Sequence, residues 1–254
     1  MAFFKKRYQT GRDGLSTETM LQGARLITAA EPKNPVSEQF RTIRTNIDFA
    51  SVAKGNVKTL LVSSALPSEG KSTLTANLAV VYAQQGKKVL LVDTDLRRPT
   101  VATTFGITDN HGLTNYLADA KSEVGSIIHH TRMNTLDVIV SGPVPPNPAE
   151  LLASGRMTAL IGDLRQQYDL VIFDVPPFLM VTDAQVLMSK MDGVAVVVSG
   201  GQTTKNALKR TAEMLKLSEA PVIGFIYNDR NRKKKSDNGY GYGYGYGYGY
   251  GDAK

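Results

Sequence analysis

The chain has 254 residues, a formal charge of +7, three histidines and no cysteine. That length fits one large α/β domain, and an apolar content of 42% suffices for its core. The missing cysteines exclude disulfides and thiolate chemistry and suit a reducing compartment, His111, His129 and His130 lack metal-ligand spacing, and no run approaches the ~20 apolar residues of a bilayer span.

From the N-terminus, MAFFKKRYQTGRDG contains no apolar segment of the signal-peptide kind. Residues 1–30 read as a flexible lead-in. Asn34 then stands as the N-cap of a helix with Pro35 in its first turn, and Val36, Phe40, Ile43 and Ile47 recur at helical spacing as a buried stripe. On another part of that helix Glu38, Arg41 and Arg44 lie three apart, which by spacing alone is a surface pairing worth a few tenths of a kcal/mol, roughly. Strands are expected at residues 57–63, 88–93, 136–140, 169–174, 193–199 and 222–227. Helices are expected at 71–85, at 147–167 with an interruption near Gly155, and at 203–217. Unbroken apolar strands alternating with helices indicate a mostly parallel sheet flanked by helices on both faces.

The first strand runs into Ala65-Leu66-Pro67-Ser68-Glu69-Gly70-Lys71-Ser72-Thr73. This is a phosphate-binding loop in the A-x-x-x-x-G-K-S form, placed between strand and helix as the motif requires. Amides around Glu69–Ser72 are expected to curl about a phosphate at the positive end of the helix. Lys71 then neutralises the β and γ phosphates, and Ser72 ligates Mg²⁺. Asp174 closes the strand DLVIFD and is the second metal-side residue. Asp93 and Asp95, in VLLVDTDLRRP, project from the carboxyl end of a strand, where open α/β sheets place ligands. Two acids there exceed what Mg²⁺ requires, so one is free to accept a proton; Asp93 is favoured as base and Asp95 as metal-side helper, although sequence does not separate them. Of Arg97 and Arg98, which follow, one is a candidate phosphate contact. No N-K-x-D segment reads guanine, which favours ATP, and Asn228 is a candidate adenine contact. Lys71→Met is expected to abolish transfer and leave the fold intact.

The chain closes with GYGYGYGYGYGYG, in which Tyr240, Tyr242, Tyr244, Tyr246, Tyr248 and Tyr250 alternate with glycine. Glycine weakens strands and the segment is terminal, so residues 230–254 read as a flexible display tail. Its phenols suit a substrate that the protein carries on itself, with a nearby aspartate taking the proton. Charge is segregated: residues 1–60 carry ten basic and five acidic side chains, 229–254 carry six and three, and the body between is close to neutral. A basic excess in the flanks, not the body, argues against nucleic acid and for anionic lipid or an acidic partner.

The loop SSALPSEGKST, the strand motif VLLVDTDLRRP, the segment DLVIFDVPP and the tyrosine cluster together resemble the bacterial tyrosine kinases of capsular and exopolysaccharide production, over about residues 20–254. The resemblance implies a P-loop kinase domain at 31–229 and an autophosphorylated tail at 230–254. It implies an ATP- and Mg²⁺-dependent autokinase in which Glu38, Arg41 and Arg44 match a ring-forming Glu-x-x-Arg-x-x-Arg motif, reversing the preference for a plain surface pair. In the family ring, commonly an octamer, the tail of one subunit enters the site of the next. The absence of a span resembles the branch, typical of Gram-positive bacteria, in which a separate transmembrane activator holds the cytoplasmic kinase at the inner face of the membrane; Lys5, Lys6 and Arg7 would help keep it there. Protein substrates such as sugar-nucleotide dehydrogenases are a family property only. Two rivals predict no phosphotyrosine: a ParA/MinD-like positioning ATPase, against which Leu66 stands where those relatives carry an early loop lysine, and a nucleotide-gated scaffold.

Overall fold

A computed structural model describes residues 15–229; the tail tyrosines and the basic stretch at Lys5–Arg7 lie outside them. In chain order the elements are α1 (Leu15–Gln22), α2 (Ile27–Ala30), α3 (Pro35–Ala53), β1 (Thr59–Ser64), α4 (Lys71–Ala83), β2 (Val89–Asp93), α5 (Val101–Phe105) and α6 (Leu113–Ala118). A 3₁₀ turn at Val124–Ile127 leads to β3 (His129–His130), β4 (Leu136–Ile139), α7 (Pro148–Ala153), α8 (Gly155–Gln167) and β5 (Leu170–Asp174). The chain continues through α9 (Asp183–Met188), β6 (Gly193–Ser199), α10 (Lys205–Leu217) and β7 (Val222–Asn228).

The seven strands form one sheet in the order β3-β4-β2-β5-β1-β6-β7. All pairs are parallel except β3 with β4. Period-2 alternation divides the strands' side chains between two cores: Leu61, Leu90 and Val92 pack on the face covered by α6 to α10, and Leu60, Val62, Val89 and Leu91 on the face of α2 to α5. Helix α4 is buried on nearly every side, as an apolar helix at the centre of a layered fold should be.

Several local expectations hold. Asn34 accepts the Val36 N–H at 2.9 Å with Pro35 at the first helical position. The expected break near Gly155 is the Ser154 cap between α7 and α8, where the Ser154 hydroxyl accepts the Met157 N–H. Other expectations need correction. Residues 15–30, read as part of a flexible lead-in, carry α1 and α2, pinned by polar side chains: the Thr28 N–H and hydroxyl both donate to Asn77 Oδ1, and Thr103 donates to the Met20 carbonyl. Along α3, Ile47 is buried and Phe40 and Ile43 pack partly against the core, but Val36 in the first turn is 41% exposed.

Candidate active site

The phosphate loop is shaped by two residues with positive φ, Ser68 at 62° and Gly70 at 90°. Glycine adopts this conformation without steric cost, and Gly70 is the N-cap from which α4 starts. The loop is braced from behind. The buried Glu69 carboxylate accepts the Leu66 N–H at 2.9 Å and the Thr203 hydroxyl. Burial raises the pKa of Glu69, and these hydrogen bonds oppose the rise. Gln202 Nε2 donates to the Pro67 carbonyl at 2.7 Å, and Asn228 Nδ2 to the Glu69 carbonyl at 2.9 Å. Residues just after β6 and at the end of β7 thus hold the loop that β1 delivers.

The acids converge because their strands end in register: Asp93, last in β2, pairs directly with Asp174, last in β5. Lys71, first in α4, reaches both strand ends. Its ammonium lies 2.9 Å from Asp95, 3.3 Å from Asp174 and 3.1 Å from the Ser72 hydroxyl. Burial alone would lower the Lys71 pKa, but Asp174 and Asp95 outweigh it and raise it, so the lysine stays charged. Burial also pushes Asp174 up, against the pull of Lys71. Asp93 is pushed up to about 7, by burial first and by the charge of Asp174 next.

Asp93 and Asp95 have different surroundings. Asp93 is fully buried; its Oδ2 accepts the Thr100 and Val101 N–H groups, each at 2.9 Å, and its Oδ1 accepts the Asp95 N–H at 3.2 Å. It holds the loop between β2 and α5 in shape. Asp95 instead lines a cleft of about 230 Å³ with Pro67, Ser68, Gly70, Lys71, Ser72 and Thr73. Arg97 borders the same cleft, but its guanidinium forks onto the buried Asp183 at 3.0 and 3.2 Å. The backbone N–H of Arg98 donates to Asp95 Oδ1 at 3.1 Å.

These residues fit a magnesium nucleotide. Two buried acids, Asp95 and Asp174, face one ammonium with Asp93 close behind, which leaves room for a divalent cation to neutralise them, and Asp174 Oδ2 is buried without a hydrogen-bond partner. Among the described residues no group of three His, Cys, Asp or Glu side chains forms a self-sufficient metal centre. Mg²⁺ in phosphoryl-transfer sites is commonly held by one or two protein groups together with substrate phosphates.

A family model described as an AAA domain matches residues 57–220. The tyrosine-protein kinase YwqD of Bacillus subtilis (strain 168) is 49% identical over 205 residues, covering 81% of this chain and 86% of the relative. A putative tyrosine-protein kinase of Staphylococcus aureus, CapB, is 38% identical over 78% of this chain and 86% of its own length. The solved kinase domain of the Escherichia coli tyrosine kinase ETK superposes with a TM-score of 0.77 at 34% identity, covering 91% of each chain. The chain belongs to the bacterial tyrosine kinases. As such it is an ATP-dependent protein tyrosine autokinase of the class that regulates capsule and exopolysaccharide synthesis.

In this kinase the three residues matching the ring motif lie on α3. Arg41 pairs with Glu38 at 2.6 Å and also donates to the Pro32 carbonyl. Arg44 donates to the Val81 carbonyl at 3.2 Å, while its Nε is buried without a partner. Among the described residues no helix is long and apolar enough to cross a membrane. Sequence reasoning missed Asp183, Gln202 and Thr203, which act on Arg97 and the phosphate loop from more than 80 positions away. No local signal marks them; only the sheet order brings them to the site.

Proposed function

We propose that this kinase transfers the γ-phosphoryl group of Mg·ATP to the tail tyrosines, Tyr240 to Tyr250, of a neighbouring copy. The observation that carries this reading is the Lys71 ammonium shared between Asp95 and Asp174 in the cleft, one acid more than magnesium requires. The amides of residues 69–72 cradle the phosphates, and Ser72 and Asp174 hold Mg²⁺, with Asp95 adjoining them. Bound Mg²⁺ supplies charge neutralisation on the phosphoryl oxygens. When phosphates arrive, Lys71 exchanges its carboxylate partners for them, and Asp95 is released to take the proton of a phenol whose free pKa is near 10. Asp93, which sequence favoured as base, has a pKa suited to that task but has its oxygens engaged by three backbone N–H groups. Geometry precedes pKa in such a choice, so the base is assigned to Asp95. Asn228 spends its Nδ2 on the loop and keeps its Oδ1 to accept from the adenine amine.

Assembly through Glu38, Arg41 and Arg44 into an octameric ring, activation by a separate transmembrane protein at the inner membrane face, and transfer to external proteins such as sugar-nucleotide dehydrogenases complete the proposal. The test is intact-mass spectrometry of the full chain after incubation with Mg·ATP, with fragmentation of the C-terminal peptide. Phosphate additions at Tyr240–Tyr250 are expected, and none in Lys71→Met. Phosphate release with no addition to protein would refute transfer.

A further inference from the structure

The cleft beside the phosphate loop has an apolar part that neither phosphate nor magnesium uses. Met20 contributes to it from α1, and Pro177, Met180 and Val181 from the segment after β5. Both segments are anchored. On the first, Gly23 has φ +76°, and a Cβ there would lie 2.8 Å from the Thr103 carbonyl oxygen; the Ala24 N–H donates to the Thr104 hydroxyl at 2.9 Å, and Thr103 bonds the Met20 carbonyl. On the second, the Phe178 and Leu179 N–H groups donate to the Ser64 and Ala65 carbonyls, and the Phe178 ring is buried in the core. Met180 is nonetheless 58% exposed. Met180 thus lines, with Met20, Pro177 and Val181, an apolar wall of the cleft next to a charged reaction centre, the make-up of a ligand pocket.

Sheet order indicates which occupant. Strands β2 and β5, which deliver Asp95 and the Met180 segment, lie on one side of β1. Strands β6 and β7, which deliver Gln202, Thr203 and Asn228, lie on the other. With the nucleotide base on the Asn228 side, as in the transfer reading above, the methionine-lined part is left for the acceptor. We propose that Met20 and Met180 form the subsite that grips the ring of the accepting tyrosine in the Gly239–Gly251 tail, with Asp95 at its charged end. This rests on the transfer reading above. Thioethers make favourable contacts with aromatic rings, and the phenol's polar end would point toward Asp95. The glycines on either side of every tail tyrosine carry no Cβ to collide with the two walls. The segment that would present them, residues 230–254, numbers 25 residues, and an extended chain reaches about 3.3 Å per residue.

The test measures binding of a synthetic peptide with one tyrosine between glycines to the full chain, with Mg²⁺ and a non-hydrolysable ATP analogue, by titration calorimetry. Met180→Ala and Met20→Ala should each weaken peptide binding roughly tenfold, the scale of a good sulfur–ring contact. The affinity for the analogue alone should stay at the wild-type value. Met180→Leu, which keeps apolar volume but lacks the thioether, should recover only part of the peptide affinity, and valines in place of the flanking glycines should weaken it. Unchanged peptide affinity in both alanine variants would overturn the subsite. So would a parallel loss of analogue affinity, which would give the methionine wall to the adenine. Tail labelling of the wild-type chain tests the transfer reading separately, because the binding measurement needs no turnover.

Discussion

Lys71→Met is the natural way to silence this kinase, and the structure predicts that it perturbs more than catalysis. The lysine faces Asp95 at 2.9 Å and Asp174 at 3.3 Å, and Asp93, Asp95 and Asp174 are all at most 4% exposed. Removing one partner of a buried ion pair costs about 3–5 kcal/mol, because the other is left uncompensated. For a chain of this size each kcal/mol is worth about 2–4 °C, so the melting midpoint should fall by about 10 °C at pH 8. The deficit has a definite pH dependence. Asp93 and Asp174 have folded pKa values raised above 3.8, Asp93 to about 7. A carboxyl raised on folding favours the fold most below its unfolded pKa, and that contribution is lost as pH rises through the folded value. Without Lys71 both folded values move higher still, and the two proteins differ once the wild-type groups ionise, so the deficit grows as pH rises through the wild-type values, about 7 for Asp93, and is larger at pH 8 than at pH 5. Urea unfolding of the variant and the wild type at pH 5 and pH 8 checks this, and Lys71→Met combined with Asp174→Asn should recover much of the loss at pH 8. A variant as stable as wild type at pH 8, or equally weakened at both pH values, would refute the reasoning. The sequence-based expectation that Lys71→Met leaves the fold intact stands beside this one: the variant should fold, with a lower melting midpoint.

Asp95→Asn should lower the tail-transfer rate constant by about 10²–10⁴, the usual contribution of a general base, with ATP affinity retained; steady-state kinetics of phosphotyrosine formation decide it, and full activity would return the base to Asp93. Asn228→Ala removes the Nδ2 bond to the Glu69 carbonyl, a loss of about 1 kcal/mol in loop support, and should raise the KM for ATP several-fold with kcat little changed. Glu38→Ala breaks a pair in which the glutamate is 69% exposed, so the thermal midpoint should hardly move; light scattering after gel filtration should nevertheless show smaller assemblies if the α3 charges join subunits, and unchanged assembly would leave the pair a surface feature.

The parallel sheet was readable because each buried strand is a short apolar run bounded by turns, and the phosphate loop because its spacing is dictated by one ligand. Lys71, Ser72, Asp95 and Asp174 meet as that motif logic required. The distinction between Asp93 and Asp95 was not readable, since it depends on where the chain returns after β2: the amides of Thr100 and Val101 come back to Asp93 and turn it inward. Helices α5, α6 and α9, of five or six residues, are too short to show a helical period, and residues 15–30 owe their order to Asn77 and Thr104 far along the chain. The exposure of Val36 follows from its place in the first turn of α3, beyond the reach of the core.

The electrostatics of the cleft bear on when transfer stops. A neutral phenol adds no charge to a site that already holds Asp95 and Asp174 beside Lys71 and, during transfer, the anionic Mg·ATP. Its product adds about −1.5 to −2 charges beside Asp95, from which Lys71 can again be withdrawn only by new phosphates. The phosphorylated ring is therefore the form that the cleft holds least well, and its release needs no separate device. The six Gly-Tyr repeats are locally alike, so a subsite for the ring sees the same side chain at every register and has no basis for preferring one. What changes from one transfer to the next is the charge accumulated on the tail, which repels the carboxylate end of the cleft more strongly with each addition. On the proposed mechanism the regularity of the tail and the acidity of the site then work together: the first lets successive tyrosines take the same place, and the second limits how many do.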